Sequence, residues 1–372
     1  GYDVADNDTD AMPNTSDMSH GTHVAGIASG ATNNGIGIAS IGFNVKLIPV
    51  KSSNSAQFVS DAYAGVVWAY QNDADVINMS WGGSGFSQTG QNIITNAYNA
   101  GCVNVAAAGN DGVSTVFYPA GYDNIISVAS STTNDAKSGF SNFGNWIDIT
   151  APGSAIRSTY IGNNFAPTYA DLQGTSMASP LVAGLCGLIK SVNPQMTQTQ
   201  IESCLLSTAD NINSVNGNYI GQLGAGRINA FQAVICAQST LNTPPVAVIN
   251  ADNTVRCPGA NVQFFGSSGG GIATGYQWSF PGGNPSTSTA QNPVVNYGSL
   301  GTYNVSLTLT NQFGTDSESI TNYVEISTNG TDRFFIEDFE NGTLAQNQWT
   351  VENPDGDVTW AAFTVAGATG GS

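Results

Sequence analysis

The chain has 372 residues, enough for two to three domains and for at least one large hydrophobic core. Only 9% of residues are charged, against about 25% in ordinary soluble domains, and 8 Lys and Arg face 26 Asp and Glu, for a net charge of −18. That balance excludes a sequence-independent grip on nucleic acid or anionic lipid, since both need clustered Lys and Arg.

The polar mass comes from Ser, Thr, Asn, Gln and Gly, a composition frequent in secreted β-rich proteins. The longest near-apolar stretch, residues 177–189, contains Ser179 and Pro180 and is too short to span a bilayer. No basic segment followed by an apolar one opens the sequence, so no leader is read within it, and Gly1 need not be the start of the gene product. The five cysteines, Cys102, Cys186, Cys204, Cys236 and Cys257, cannot all pair within one chain, and several connectivities stay open. Cys186, inside an apolar run, reads as a small buried hydrophobe. With no C-x-x-C, a cysteine-rich metal site is not expected.

Short apolar runs that end in Gly or small polar residues predict strands over 45–50, 76–79, 103–108, 125–129 and 147–150. Helical patterns cover 20–30, 60–70, 92–100 and 179–191. This alternation predicts an α/β domain over residues 1–241, a doubly wound, mostly parallel sheet with helices on both faces. Sites in such sheets form beyond the carboxyl ends of the strands. Thr243-Pro244-Pro245 reads as a stiff linker. Beyond it, period-two alternation, as in residues 302–309, predicts a small antiparallel β-sandwich over 244–328. Residues 333–372 mix aromatics with Asp, Glu and Gly and read as the start of a further β module, cut short.

Three segments carry chemistry. The only two histidines lie together in Ser19-His20-Gly21-Thr22-His23, so any imidazole base is one of them. A zinc pair on a helix needs the i, i+4 spacing of H-E-x-x-H; the spacing here is i, i+3. His23 is expected to point into the core. In the second segment, Gly174-Thr175-Ser176-Met177-Ala178-Ser179-Pro180, small residues precede the predicted helix. They leave Ser176 either as a helix cap or as a nucleophile where backbone amides favour negative charge. In the third, Ala106-Ala107-Ala108-Gly109-Asn110, a strand ends at an Asn that is either a turn residue or an amide donor aimed at an oxyanion.

These segments, in this order, resemble the subtilisin-like serine peptidases (subtilases) over residues 1 to about 240. The likeness extends to Asn78-Met79-Ser80-Trp81-Gly82-Gly83 and Thr150-Ala151-Pro152-Gly153. The resemblance implies His20 as general base, Ser176 as nucleophile, and Asn110 with the Ser176 N–H as oxyanion donors. It implies Ser80, Trp81, Gly82, Ala107, Ala108 and Gly109 as a cleft lining that pairs with substrate backbone as added strands. It makes Thr32-Asn33-Asn34-Gly35 similar to a calcium loop, with Asn34 as the side-chain ligand. No cofactor is required, but a structural calcium is implied. Phe117 falls where many subtilases carry a small residue at the base of the primary specificity pocket.

The family's third catalytic residue is an Asp in a D-[ST]-G segment upstream of the histidine motif. Only 19 residues precede His20 here, and Asp3, Asp6, Asp8, Asp10 and Asp17 do not sit in such a segment. None of them is assigned to the triad. A sheet short of that strand is expected to expose an unpaired edge and to be poorly stable.

Residues 244–328 resemble the polycystic-kidney-disease (PKD) type of Ig-like domain through Pro245-Val246-Ala247, Tyr276-Gln277-Trp278-Ser279-Phe280 and Gly301-Thr302-Tyr303-Asn304-Val305. Trp278 is expected in its core. The expectation is a secreted serine endopeptidase with protein or peptide substrates, no nucleic acid partner and no membrane span, whose PKD-like domain contacts substrate or a cell surface. The competing expectation is a non-catalytic binding or adhesion protein on a degenerate peptidase scaffold.

Overall fold

The computed structural model describes residues 1–56 and 58–328. The further module expected over 333–372 lies outside the described residues. The chain divides into two compact units, one of residues 1–246 with 268–274 and 310–315, the other built on 247–267, 275–309 and the chain from 316.

In the first unit the order is β1 (Tyr2–Asp3), α1 (His20–Ser29), β2 (Val50–Lys51), α2 (Ala62–Gln71), β3 (Val76–Met79), α3 (Gln88–Asn99), β4 (Val103–Ala107), β5 (Ile126–Ser131), β6 (Ile149–Pro152), β7 (Ile156–Ile161), β8 (Pro167–Leu172), α4 (Thr175–Val192), α5 (Gln198–Ser207) and α6 (Ala230–Ser239). Strands β3, β4, β5 and β6 form a parallel sheet in that order, with Val76 opposite Val103, Val105 opposite Ile126 and Val128 opposite Ile149. Every residue of β4 and β5 is buried, as in sheets covered on both faces. On one face α4 contributes Val182, Leu185, Cys186 and Ile189 to a core shared with Val105, Val128 and Ile149. On the other, α2 and α3 bring Val66, Ala69, Ile94 and Ala97 into a core with Met79 and Ala106. Each large side chain buried this way stabilises the fold by about 1.5–3 kcal/mol. The doubly wound parallel sheet is therefore present.

Two boundaries differ from expectation. Of residues 45–50 only Val50 joins a strand: Val50 and Lys51 pair with Tyr2 and Asp3 in a separate two-stranded parallel sheet. Leu47 and Ile48 are exposed, with no neighbouring strand to bond them, and Pro49 lacks a donor. Helix α4 begins at Thr175, four residues earlier than expected, so Ser176 lies inside its first turn. At 18 residues α4 is long and apolar enough to cross a membrane by length and composition, but 67% of it is buried inside the fold, as in a core helix.

Helices α1 and α4 meet closely. A Cβ on Gly184 would lie 2.6 Å from the Ala28 carbonyl oxygen and 2.6 Å from Cγ2 of Ile41. The antiparallel hairpin β7–β8 pins α1 from another side: Ser158 Oγ donates to the His23 carbonyl at 2.7 Å and Thr159 Oγ1 to that of Thr22 at 2.9 Å. Strand β3 is the edge of its sheet, and a cleft of about 2770 Å³ separates it from β2. Ala25 and Ala28 of α1, Val66 of α2 and Ala183 of α4 line this cleft, and the lining continues to His20, Ser80, Trp81 and Gly82. A disulfide joins Cys204 of α5 to Cys236 of α6, while Cys102 and Cys186 are buried thiols.

The second unit contains β9 (Ala247–Ala251), β10 (Val255–Arg256), β11 (Asn261–Ser268), β12 (Gly275–Ser279), β13 (Thr287–Ser288), β14 (Val294–Asn296), β15 (Gly301–Asn311) and β16 (Gly314–Ile326). One sheet runs β10-β16-β15-β12-β13 and the other β14-β11-β9. Pairs β11–β14 and β12–β13 are antiparallel, and the short β10 lies parallel to β16. The alternation along β15 buries Val305, Leu307 and Leu309. Trp278 is fully buried, stacks on Phe280 and donates its indole N–H to the Ala290 carbonyl at 3.0 Å.

Candidate active site

Ser176 is placed by a helix that tolerates a proline. Pro180, inside α4, has no N–H to give the carbonyl four residues back, which is that of Ser176. That carbonyl instead accepts the Ser80 hydroxyl at 2.9 Å. In return the Ser176 hydroxyl donates to the Ser80 carbonyl at 3.2 Å. Ser80 is itself held by Asn78 Nδ2 at 3.0 Å, and Asn78 Oδ1 accepts Ser179 Oγ at 2.7 Å. The carboxyl end of β3 is thus tied to the first turns of α4.

Asn110 follows the carboxyl end of β4. Its Oδ1 accepts the Thr175 backbone N–H at 2.8 Å and the Thr175 hydroxyl at 3.0 Å, and its Nδ2 bonds no other described residue. Thr175 Oγ1 also accepts the Gly109 N–H at 3.1 Å. The point where a Cβ of Gly174 would stand is 3.5 Å from Asn110 Nδ2 and 3.6 Å from the Ser176 backbone nitrogen. The Asn110 side-chain amide and the Ser176 backbone nitrogen, an unpaired amide of a helix first turn, thus border the same point beside Gly174. Gly174 has φ +151, a backbone state open to glycine and strained for other residues.

Asn142, fully buried, braces the turn around Asn110. Its Oδ1 accepts the Asp111 and Val113 N–H groups at 3.0 and 3.2 Å, and its Nδ2 donates to the Ala108 carbonyl at 3.0 Å. Neither Asn142 nor Thr175 stands out in the sequence, because a loop Asn and a pre-helix Thr are common. Only partners far along the chain give them these roles.

The cleft lining divides into two kinds. Trp81 and Gly82 have no backbone hydrogen bond among the described residues, so their N–H and C=O groups are open to an added strand. Ala108 and Gly109 are not: the Ala108 N–H goes to Val128 O and its carbonyl to Asn142 Nδ2, while Gly109 bonds Thr175 Oγ1 and the Asn142 N–H. The expectation that Ala107, Ala108 and Gly109 pair with substrate backbone is corrected at Ala108 and Gly109, which form a wall with its polar groups already spent.

His20 opens α1 and lines the same cleft as Ser80, Trp81 and Gly82. The protein atoms packed around the ring, and then the neighbouring His23, hold its pKa below the ordinary histidine value. His20 makes no side-chain hydrogen bond to a carboxylate among the described residues, and Ser176 Oγ is bonded to Ser80 instead of the imidazole. His23 is fully buried, as expected, and bonds the Ala170 carbonyl at 3.0 Å through Nε2. Asp3, the buried carboxylate of the N-terminal stretch, binds Lys51 Nζ and the N–H groups of Ala5 and Asp6. It serves the β1–β2 sheet.

Among the described residues no group of three or more His, Cys, Asp or Glu side chains is arranged to hold a metal. Asn34 is exposed, and its Oδ1 accepts the Ile36 N–H at 3.1 Å, which leaves one lone pair of a hard oxygen ligand.

The subtilase family model matches residues 2–227, and a PKD domain model matches residues 242–326. A thermophilic serine proteinase of Bacillus sp. (strain AK1) is 43% identical over 236 residues, which are 63% of this chain and 56% of that protein. An extracellular protease of Xanthomonas campestris pv. campestris is 41% identical over 246 residues, 61% of this chain and 41% of that protein. The chain thus spans little more than half the length of the first relative and less than half of the second. Among solved structures, a protease of Pseudoalteromonas arctica PAMC 21717 superposes with a TM-score of 0.54 at 37% identity, covering 59% of this chain and 70% of that one.

Proposed function

The chain belongs to the subtilase family, and from that premise we propose that it is a secreted serine endopeptidase acting through an acyl-enzyme on Ser176. The observation that supports the reading is the nearness of Asn110 Nδ2 and the Ser176 backbone nitrogen to one point beside Gly174, at 3.5 and 3.6 Å. Donors fixed in advance at such a point stabilise the charge of a tetrahedral intermediate without reorganising.

In this reading a peptide lies along the free backbone edge of Trp81 and Gly82. His20 takes the Ser176 Oγ proton as Oγ bonds the carbonyl carbon. Asn110 and the Ser176 N–H hold the oxyanion, and His20 returns the proton to the leaving amine. Water then repeats the sequence to release the acyl group. The reading also calls for a carboxylate to orient His20, the triad's third member. The groove between β2 and the edge strand β3 has room for a strand that would carry it, and its lining includes His20.

Secretion is supported by the Xanthomonas relative, which is an extracellular protease. Asn34 and the carbonyls of its loop would hold a structural calcium, which would brace the loop. The PKD unit is assigned a contact with substrate or a cell surface. The test is labelling of the full-length protein by a fluorophosphonate. Labelling that persists with a zinc chelator and disappears in Ser176→Ala is expected. A folded protein that takes no label would point to a binding role on a peptidase scaffold.

A further inference from the structure

Beside the proposed nucleophile the protein places an aromatic ring between two glycines. The ring of Phe117 reaches from the segment that follows β3 to the end of β4. A Cβ on Gly82 would collide with Cε1 of Phe117 and stand 2.9 Å from Cδ1. On the opposite wall, a Cβ on Gly109 would stand 3.0 Å from Cγ and 3.2 Å from Cδ2. Neither wall has room for a methyl group against the ring. Gly109 has φ +100 and favours glycine on backbone grounds, but Gly82 has no such φ; there the Phe117 ring and the Tyr118 carbonyl oxygen together leave a Cβ no room.

The ring's backbone is fixed. Tyr118 exchanges both hydrogen bonds with Gly83, at 2.7 and 2.8 Å, and the Phe117 carbonyl accepts the Gly121 N–H at 2.8 Å. Position also matters. Gly82 lies two residues after Ser80, whose carbonyl holds the Ser176 hydroxyl, and Gly109 directly precedes Asn110. A peptide paired along Trp81 and Gly82, with its carbonyl at the Asn110 and Ser176 donors, turns the side chain before the cut bond toward the gap between these two walls. That gap is where the ring sits.

We propose that Phe117 closes the pocket for the residue preceding the cleaved bond, so that the protein selects peptides with Gly, Ala or Ser there and disfavours Leu and Phe. The inference rests on the hydrolytic reading of the site and narrows its substrate class.

The experiment measures, by calorimetry on the full-length protein, the binding of product-like tetrapeptides that differ only in a last residue of Ala, Leu or Phe. Binding needs no turnover. Failure of the hydrolytic reading, seen as absent fluorophosphonate labelling, is therefore distinct from failure of this proposal. The Ala peptide is expected to bind at least about tenfold more tightly than the Phe peptide, since even one methylene is worth that much in a shaped pocket. Phe117→Gly is expected to reverse the order. A Phe peptide that binds as well as the Ala peptide overturns the proposal, as does an unchanged ratio in Phe117→Gly. Phe117→Ala, with its melting temperature, supplies the same comparison if the glycine variant does not fold.

Discussion

Pro180 and Ser176 stand four residues apart in α4, and the imino acid leaves the Ser176 carbonyl for the Ser80 hydroxyl to fill, at 2.9 Å. The proline that breaks one helical bond thereby makes the bond that ties the Ser176 turn to the end of β3.

Ser80→Ala should leave that carbonyl without a partner and cost about 1–2 kcal/mol in urea unfolding. In a Pro180→Ala background the helix regains an N–H at position 180, and the Ser80→Ala cost should fall close to zero. Equal costs in the two backgrounds would refute the coupling.

In the proposed mechanism Asn110→Ala removes an oxyanion donor and nothing from substrate pairing. In the active full-length protein kcat should drop by about 10²–10³-fold with KM little changed, the magnitude set by the same kind of donor in a subtilisin. Thr175→Val keeps the shape but strands the Gly109 N–H and removes one of the two bonds that hold Asn110 Oδ1. A smaller fall in kcat, together with lost stability, is expected. An Asn110→Ala loss confined to KM would argue against the role.

Both histidines titrate low in this chain. His23 is lowered by burial, which outweighs the opposing carbonyls of Ala170 and Ile156 and the charge of Asp171. The folded state then binds fewer protons than the unfolded chain between the lowered value and the unfolded one near pH 6.5. Stability should be full above that window and decline as pH falls through it, and His23→Phe should flatten the decline. For His20, NMR titration of residues 1–372 should give a midpoint below the ordinary histidine value. A midpoint above it would show a carboxylate beside the ring.

The Cys204–Cys236 bridge spans 32 residues and constrains the unfolded chain. Reduction, or the paired serine substitutions, should lower unfolding free energy by about 3–4 kcal/mol in the chain-entropy picture. A loss under about 1 kcal/mol would mean that α5 and α6 hold each other by packing alone.

Much of the fold is legible where a residue's local chemistry and its final environment agree. The runs around β4 and β5 are apolar because both of their faces are covered, so sequence and structure coincide there. The histidine, serine and Asn110 segments are legible for a related reason: close backbone approach leaves little choice but Gly, Ala and Ser. Residues 45–50 look like a strand by composition, yet most of them have no strand to pair with. Strands β7 and β8 escape notice because they are partly exposed and mix polar with apolar residues. Asn142 is invisible for a third reason, since each bond it makes to the Asn110 turn joins residues about thirty positions apart.

Gly184 makes the crossing of α1 and α4 a spacer of zero thickness. Eight residues upstream of it on one helix stands Ser176, and eight upstream of its neighbour Ala28 on the other stands His20. A single methyl at that crossing would wedge the two rods apart. Such a wedge would shift His20 relative to Ser176 from a point eight residues away from each.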